Sequence, residues 1–342
     1  MELMEYNKEI NEESIHNIQN VYKIKIISIK QLFIGADKNS FVYMVKSTNK
    51  KYFLKIRTGK FNEFSIILPY ILSQNIGKHI IEPIKTIDGQ LYYKTQEKVL
   101  VIYPFITGKS GFEKELSEKQ WFEFGKLMEK IHKIQLPNSY NIPYEKWISK
   151  SRSKLKKYME KVLKTKGINQ YEKQFIEYFE SKKEIINKII FRTEELITQI
   201  KKIKINYCLC HGDIHAGNIY LTSNNQFYVV DWDTLIMAPK ERDLMFIGGG
   251  IANKWNKKME ENYFYKGYGN KNNVNKTILE YYRLERIIED IVEFYEQYFE
   301  KGINENNQRI IMELLMSMFE KNNVVDMALL TNKSKIRRLT HD

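Results

Sequence analysis

Two cysteines in 342 residues are too few for a disulfide framework. They stand at Cys208 and Cys210 in the run INYCLC, which reads as a strand. Both therefore face one side and serve as small apolar core residues, and a redox or zinc role would need further ligands. Long apolar runs are missing too. The most apolar stretch, VLVIYPFI at 99–106, is far too short to span a membrane. The opening MELMEYNKEI is charged and lacks the apolar core of a signal peptide. There is no internal repeat and no low-complexity linker. A soluble, cytoplasmic protein without membrane contacts is the expectation.

What the chain has in plenty is lysine and apolar side chains. Lys and Arg number 55 against 42 Asp and Glu, a formal net charge of +13. The lysines alternate with Glu and Asn through nearly every segment, with no basic stripe interleaved with aromatics. That pattern describes a solvated surface rather than a nucleic-acid site. Hydrophobic residues make up 43% of the chain and aromatics 13%, a globular composition.

The first hundred residues read as strand-rich: YKIKIISIK (22–30), FVYMVKS (41–47), KYFLKIR (51–57) and VLVIYPF (99–105) are β-branched or aromatic runs. Turn-formers at 35–40, 47–51 and 88–90 separate them. The helical stretch FNEFSIILPYILSQ (61–74) carries Pro69, where a kink or restart is expected. After TGKSG (107–111) the pattern turns helical. In 118–134, Trp121, Phe124, Leu127, Met128 and Ile131 share one face. A short β interlude follows, INYCLCHGD and IYL, then Asn224-Asn225 as a turn, then FYVVD. The helix at 277–300 carries a stripe of Tyr281, Leu284, Ile288, Ile291, Tyr295 and Tyr298. The fold class expected is α+β with two lobes hinged near 104–111: a small β-rich lobe at 1–106 and a mainly helical one at 107–342.

One loop, HGDIHAGN at 211–218, concentrates polar chemistry. His211 and His215 are four apart, which would suit zinc on a helix, but Gly212, Gly217 and β-like flanks argue against a helix there. Asp213, Asn218 and Asp231 are all oxygen donors, the set for a hard cation such as Mg²⁺. A serine hydrolase would want a G-x-S-x-G elbow, which the chain lacks, and Cys210 lies in an apolar strand. Phosphoryl transfer fits the spacing. The template places a base Asp five residues before a metal-binding Asn, then a metal-binding Asp on the next hairpin strand. Asp213 to Asn218 is five, and Asp231 follows FYVV. Asp213 and Asn218 could instead merely cap turns, a reading that the conjunction with Asp231 disfavours.

HGDIHAGNI and VVDWDTLIMAPKERDL resemble the aminoglycoside phosphotransferase family, which has a two-lobed protein-kinase-like fold. APKERDL and the later YYRLERIIEDI resemble its spectinomycin phosphotransferase branch most. The resemblance implies ATP (GTP not excluded), Mg²⁺, antibiotic resistance and a cationic, hydroxyl-bearing small-molecule acceptor. It makes Asp213 the catalytic base and Asn218 and Asp231 the Mg²⁺ ligands. His211 would brace the loop, Asp243 would hold it through backbone hydrogen bonds, and Asp233 would be the second acid of the metal strand. His215 has no assigned role.

On the nucleotide side, Lys55 shares a strand face with Phe53 and Arg57 and could reach the phosphates as a kinase strand lysine does; otherwise it is an ordinary surface lysine. Glu63 is its candidate partner, although only eight residues on. The phosphate loop has one glycine, Gly35, leaving backbone amides and Ser40 for the phosphates. Tyr103 and Phe105 in YPFITG read equally as a purine-binding hinge and as core between lobes. Glu285, Glu289, Glu293, Glu296 and Glu300 recur at helical spacing, as a solvated face or as an acidic attraction for a cationic acceptor. Glu285 and Asp290, which lie in the segment resembling the spectinomycin phosphotransferase branch, are the pocket candidates. Two alternatives stay open: a kinase of a metabolite alcohol (choline, homoserine or methylthioribose) and a non-catalytic binding relative.

Overall fold

A computed structural model of the chain describes residues 10, 12–33, 39–137, 139–162, 169–269 and 271–332. Gly35 lies outside these residues. Two compact units emerge: Met1–Glu115 with Leu136–Ile142 and Gly217–Leu235, and Leu116–Gln135 with Pro143–Ala216 and Ile236–Asp342.

The first unit begins with a helix that the strand-like reading of 22–30 overlooked. Helix α1 (Glu12–Tyr22) buries Ile15, Ile18 and Tyr22, positions that recur at helical spacing, and the Tyr22 hydroxyl donates to Leu100 O at 3.1 Å. Strand β1 (Ile26–Leu32) therefore starts only at Ile26. Strands β2 (Ser40–Ser47) and β3 (Lys51–Thr58) follow, then helix α2 (Phe64–Ile76), β4 (Tyr93–Lys94) and β5 (Lys98–Pro104). The sheet order is β1-β2-β3-β5-β4. Alternation in β3 sends Leu54 and Ile56 into a core with Tyr43, Val45, Leu100 and Ile102. Phe53, Lys55 and Arg57 are left half-buried on the opposite face. Each fully buried apolar side chain contributes about 1.5–3 kcal/mol, so the register that aims Lys55 is fixed by its two neighbours.

Helix α2 runs unbroken through Pro69, so the expected restart does not occur. Pro69 removes one amide donor near the start of an apolar helix whose Ile66, Leu68 and Leu72 are buried, and that packing outweighs the lost bond. Residues 107–111 are likewise more than a connector. Gly108–Ser110 form β6, paired with residues 220–222.

In the second unit, α3 (Glu118–Lys133) opens with a capping box of Ser117 and Gln120 and buries Trp121, Phe124, Leu127, Met128 and Ile131. Helices α4 (Lys150–Val162), α5 (Gln170–Ser181) and α6 (Lys183–Ile200) lead to β7 (Cys208–Cys210). The chain then supplies the first unit with β8 (Ile219–Thr222) and β9 (Phe227–Val229), a hairpin turned at Asn225 with φ of 61°. Back in the second unit, β10 (Ile236–Ala238) pairs with β7. Helices α7 (Glu241–Leu244), α8 (Lys258–Tyr268), α9 (Lys276–Tyr298), α10 (Glu305–Met318) and α11 (Val324–Leu329) complete it. Helices α3 and α8 touch backbone to backbone. A Cβ on Gly125 would collide with the Phe264 carbonyl, and one on Gly267 with that of Phe122. Among the described residues no helix is long and apolar enough to cross a membrane.

Candidate active site

The polar loop is divided between the units: His211–Ala216 belong to the second and Gly217–Leu235 to the first. In the first unit, Val230 N donates to Asn218 O at 3.0 Å, so the hairpin holds Asn218 beside the residue that precedes Asp231. Asp231 adopts φ of 60°, a left-handed conformation that aspartate tolerates better than most residues and that concentrates at functional sites. Lys55 Nζ lies 3.0 Å from Asp231 Oδ1 and 2.6 Å from Asp233 Oδ2. Arg57 pairs with the other Asp233 oxygen. Burial alone would raise the Asp233 carboxyl, but the two cations beside it hold it below the usual carboxylate range.

Asn218 and Asp231 offer an amide oxygen and a carboxylate, donors suited to a hard divalent cation. The Asp231 side chain is 46% exposed while its Lys55 partner is 12% exposed, so the carboxylate keeps an open side for a metal. These residues fit Mg²⁺.

Glu63 does not join the cluster. It stands just before α2, where its carboxylate accepts from the Tyr92 hydroxyl at 3.1 Å. With β3 ending at Thr58, a glutamate so soon afterwards falls at the helix start and not on the helix face; Lys55 pairs with Asp231 and Asp233 in its place. Ser40 begins β2, and its buried Oγ has no hydrogen-bond partner among the described residues. Tyr103 tilts against Phe53 with ring centroids 6.5 Å apart. Burial, then the nearby Asp233 carboxylate, pushes its hydroxyl up. The Phe105 amide donates to Lys51 O at 3.3 Å, which ties it to the sheet.

The second unit holds the rest. Asp243 is 1% exposed and accepts from the amides of His211 at 2.9 Å and Gly212 at 2.8 Å, with His132 Nε2 3.0 Å away. Burial by itself would raise this carboxyl, but the His132 contact and the loop amides hold it below its ordinary value. His211 is fully buried, and its Nδ1 accepts from the Asp213 amide at 3.3 Å. Gly212 takes φ of 85°, a turn that presents Asp213 on a half-buried edge.

Asp213 meets a cation that the sequence reading did not single out. Arg286 Nη1 donates to Asp213 Oδ1 at 2.8 Å, and Arg286 also lies 2.8 Å from Asp290 Oδ1. His215 Nε2 is 3.5 Å from Asp213 Oδ2. Burial pushes the Asp213 carboxyl up, yet His215 and Arg286 together bring it well below the usual range. Arg286 was visible in RIIED as a residue four before Asp290, but a search for acidic pocket residues passes over it. Glu285 is 4% exposed and pairs with Arg152 at 2.9 Å. The glutamate row grades from buried Glu285 through half-buried Glu289 to exposed Glu293 and Glu296 on α9, and Glu300, also exposed, lies past the end of that helix.

With this geometry in hand, known proteins give a consistent answer. The phosphotransferase enzyme family matches residues 33–263. A crystal structure of spectinomycin phosphotransferase, APH(9)-Ia, in complex with ADP and spectinomycin is similar with 36% identity and a TM-score of 0.86, covering 96% of this chain and all of that one. Its AMP-bound complex is similar with 34% identity and a TM-score of 0.82, covering 92% and 97%. An amicoumacin kinase in complex with AMP-PNP, at 13% identity and a TM-score of 0.63 over 94% and 98%, shares the fold. Among curated protein sequences nothing matches. The α+β architecture is the protein-kinase-like one of these enzymes, and the chain belongs to the phosphotransferase enzyme family.

Proposed function

We propose that the protein is an ATP- and Mg²⁺-dependent O-phosphotransferase that phosphorylates a hydroxyl of a spectinomycin-like aminocyclitol or aminoglycoside and so confers resistance. The pairing of strand lysine Lys55 with the aspartates of the DWD segment carries the reaction class, because it unites the phosphate-reaching cation with a metal-ligand carboxylate. The acceptor rests on the 36% identity to spectinomycin phosphotransferase over 96% of the chain. Residues 1–106 supply the nucleotide side and 107–342 the catalytic and acceptor side. ATP is favoured by the adenine nucleotides bound to the similar enzymes.

In the proposed reaction the acceptor oxygen bonds to the γ-phosphorus, the bond to the β-phosphate's bridging oxygen breaks, and the hydroxyl proton passes to an Asp213 carboxylate oxygen. Arg286 keeps that carboxylate ionised and oriented. A base so strongly acidified acts chiefly by orienting the hydroxyl, which suits a loose transition state. Asn218 and Asp231 hold Mg²⁺, which when bound neutralises charge on the phosphates. Lys55 reaches the α- and β-phosphates with Asp231 and Asp233 fixing its head, and Ser40 contributes its hydroxyl. Asp243 and His211 hold the loop that bears the base. Tyr103 and Phe105 lie in the hinge-like segment whose backbone groups would hydrogen-bond the purine edge. On the acceptor side, Glu285 and Asp290 are the proposed pocket carboxylates, each carrying an arginine partner, with half-buried Glu289 next to Asp290.

The test is a panel of alcohols incubated with γ-labelled ATP and scored for a mass gain of one phosphate. Spectinomycin should gain it, and the expressed protein should protect a susceptible host. Product only from choline, homoserine or methylthioribose would overturn the acceptor, and no product from any alcohol would overturn the reaction.

A further inference from the structure

The chain's two thiols meet a histidine. Cys208 and Cys210 alternate on β7 so that both point to one side, with Sγ atoms 3.8 Å apart. His132, at the end of α3, brings a ring nitrogen to them, and the three ligand atoms all lie within 4.8 Å of one another. Tetrahedral zinc with Zn–S bonds of about 2.3 Å sets its two sulfurs about 3.8 Å apart. The thiols thus already stand at the spacing of one edge of such a site.

The histidine is also held as a ligand would be. His132 Nε2 contacts the Asp243 carboxylate at 3.0 Å, the arrangement that fixes the tautomer and ring orientation of metal-bound imidazoles. Nδ1 faces the Tyr268 hydroxyl at 2.7 Å, a neutral partner that a cation can replace. A cavity of about 600 Å³, lined by His132, Cys208, Tyr268, Pro239 and Glu241 among others, gives an entry path and room for a water as fourth ligand.

We propose that Cys208, Cys210 and His132 form a binding site for a soft, thiophilic divalent cation of the zinc class. Binding releases the two thiol protons and exchanges the His132–Tyr268 hydrogen bond for a metal–nitrogen bond. Two thiolates and an imidazole select such an ion over Mg²⁺, which prefers oxygen, so this site is chemically separate from Asn218 and Asp231. It does not depend on the reaction proposed above.

Cd²⁺ titrated into the reduced full-length protein should give a thiolate-to-metal charge-transfer band that saturates at one equivalent. The band should vanish in Cys208→Ser and Cys210→Ser, and affinity should fall at least about tenfold in His132→Gln. One measurement needs no variant: Zn²⁺ should slow alkylation of both cysteines in the native protein, read by peptide mass. A band that persists in either serine variant, or thiols alkylated equally fast with and without Zn²⁺, would overturn the proposal.

Discussion

Arg286 donates from Nη1 to Asp213 Oδ1 at 2.8 Å and holds Asp290 with the same guanidinium. The catalytic candidate is therefore not an isolated carboxylate. It is one end of an Asp–Arg–Asp chain anchored on α9. Arg286→Ala should lower kcat by about 10- to 100-fold, and Asp213→Ala by about 10²- to 10⁴-fold, with nucleotide binding nearly unchanged in both. Removing the arginine also raises the Asp213 carboxyl, so the acidic limb of the kcat profile should move to higher pH. Steady-state kinetics against pH decides this, and an unmoved limb in Arg286→Ala would disprove the coupling.

Asp290 gives a pH signature of the opposite sense. Burial, with Glu289 and Glu293 adding to it against Arg286, pushes its carboxyl up to about 6. A carboxyl raised above its unfolded value binds its proton more tightly in the folded state. Stability from this group is thus greatest below the ordinary carboxylate range and declines as pH rises through about 6. Chemical denaturation of the wild type and Asp290→Asn between pH 4 and 7 should show that decline in the wild type and a flatter curve in the variant. Parallel curves would remove Asp290 as the titrating group.

Lys55→Met should raise the nucleotide KM and reduce kcat by about 10²- to 10³-fold, the scale of losing one preorganised donor to a developing anion. Asp233→Asn should have a smaller effect concentrated in KM, since Lys55 keeps Asp231. Glu63→Gln should be close to wild type, because its carboxylate meets Tyr92 and not Lys55. A loss in Glu63→Gln as large as in Lys55→Met would contradict that assignment.

Gly125→Ala should destabilise the second unit by about 1–3 kcal/mol through overpacking against the Phe264 carbonyl. Gly267→Ala should do the same against Phe122, and the double variant should cost less than the sum because one separation of α3 and α8 serves both. Urea melts of the three variants measure this, and strict additivity would count against a shared contact.

The sequence by itself determined the short-range features. One hairpin links Asn218 to the residue before Asp231, so local geometry carries that relation. The spacing of Asp213 to Asn218 is what suggests the proposed reaction, and the apolar faces of α3 and α9 follow from helical periodicity. Tertiary structure decided the partners. Arg286 reaches Asp213 from 73 positions away and Lys55 reaches Asp231 across 176, separations over which no periodicity carries information. It also turned Glu63 to Tyr92, carried α2 through Pro69, and set His132 beside two cysteines that looked like plain core. Such pairings depend on which elements pack together, and in this chain the packing is set by buried apolar faces such as Leu54 and Ile56, on the side of the strand opposite the polar groups they aim.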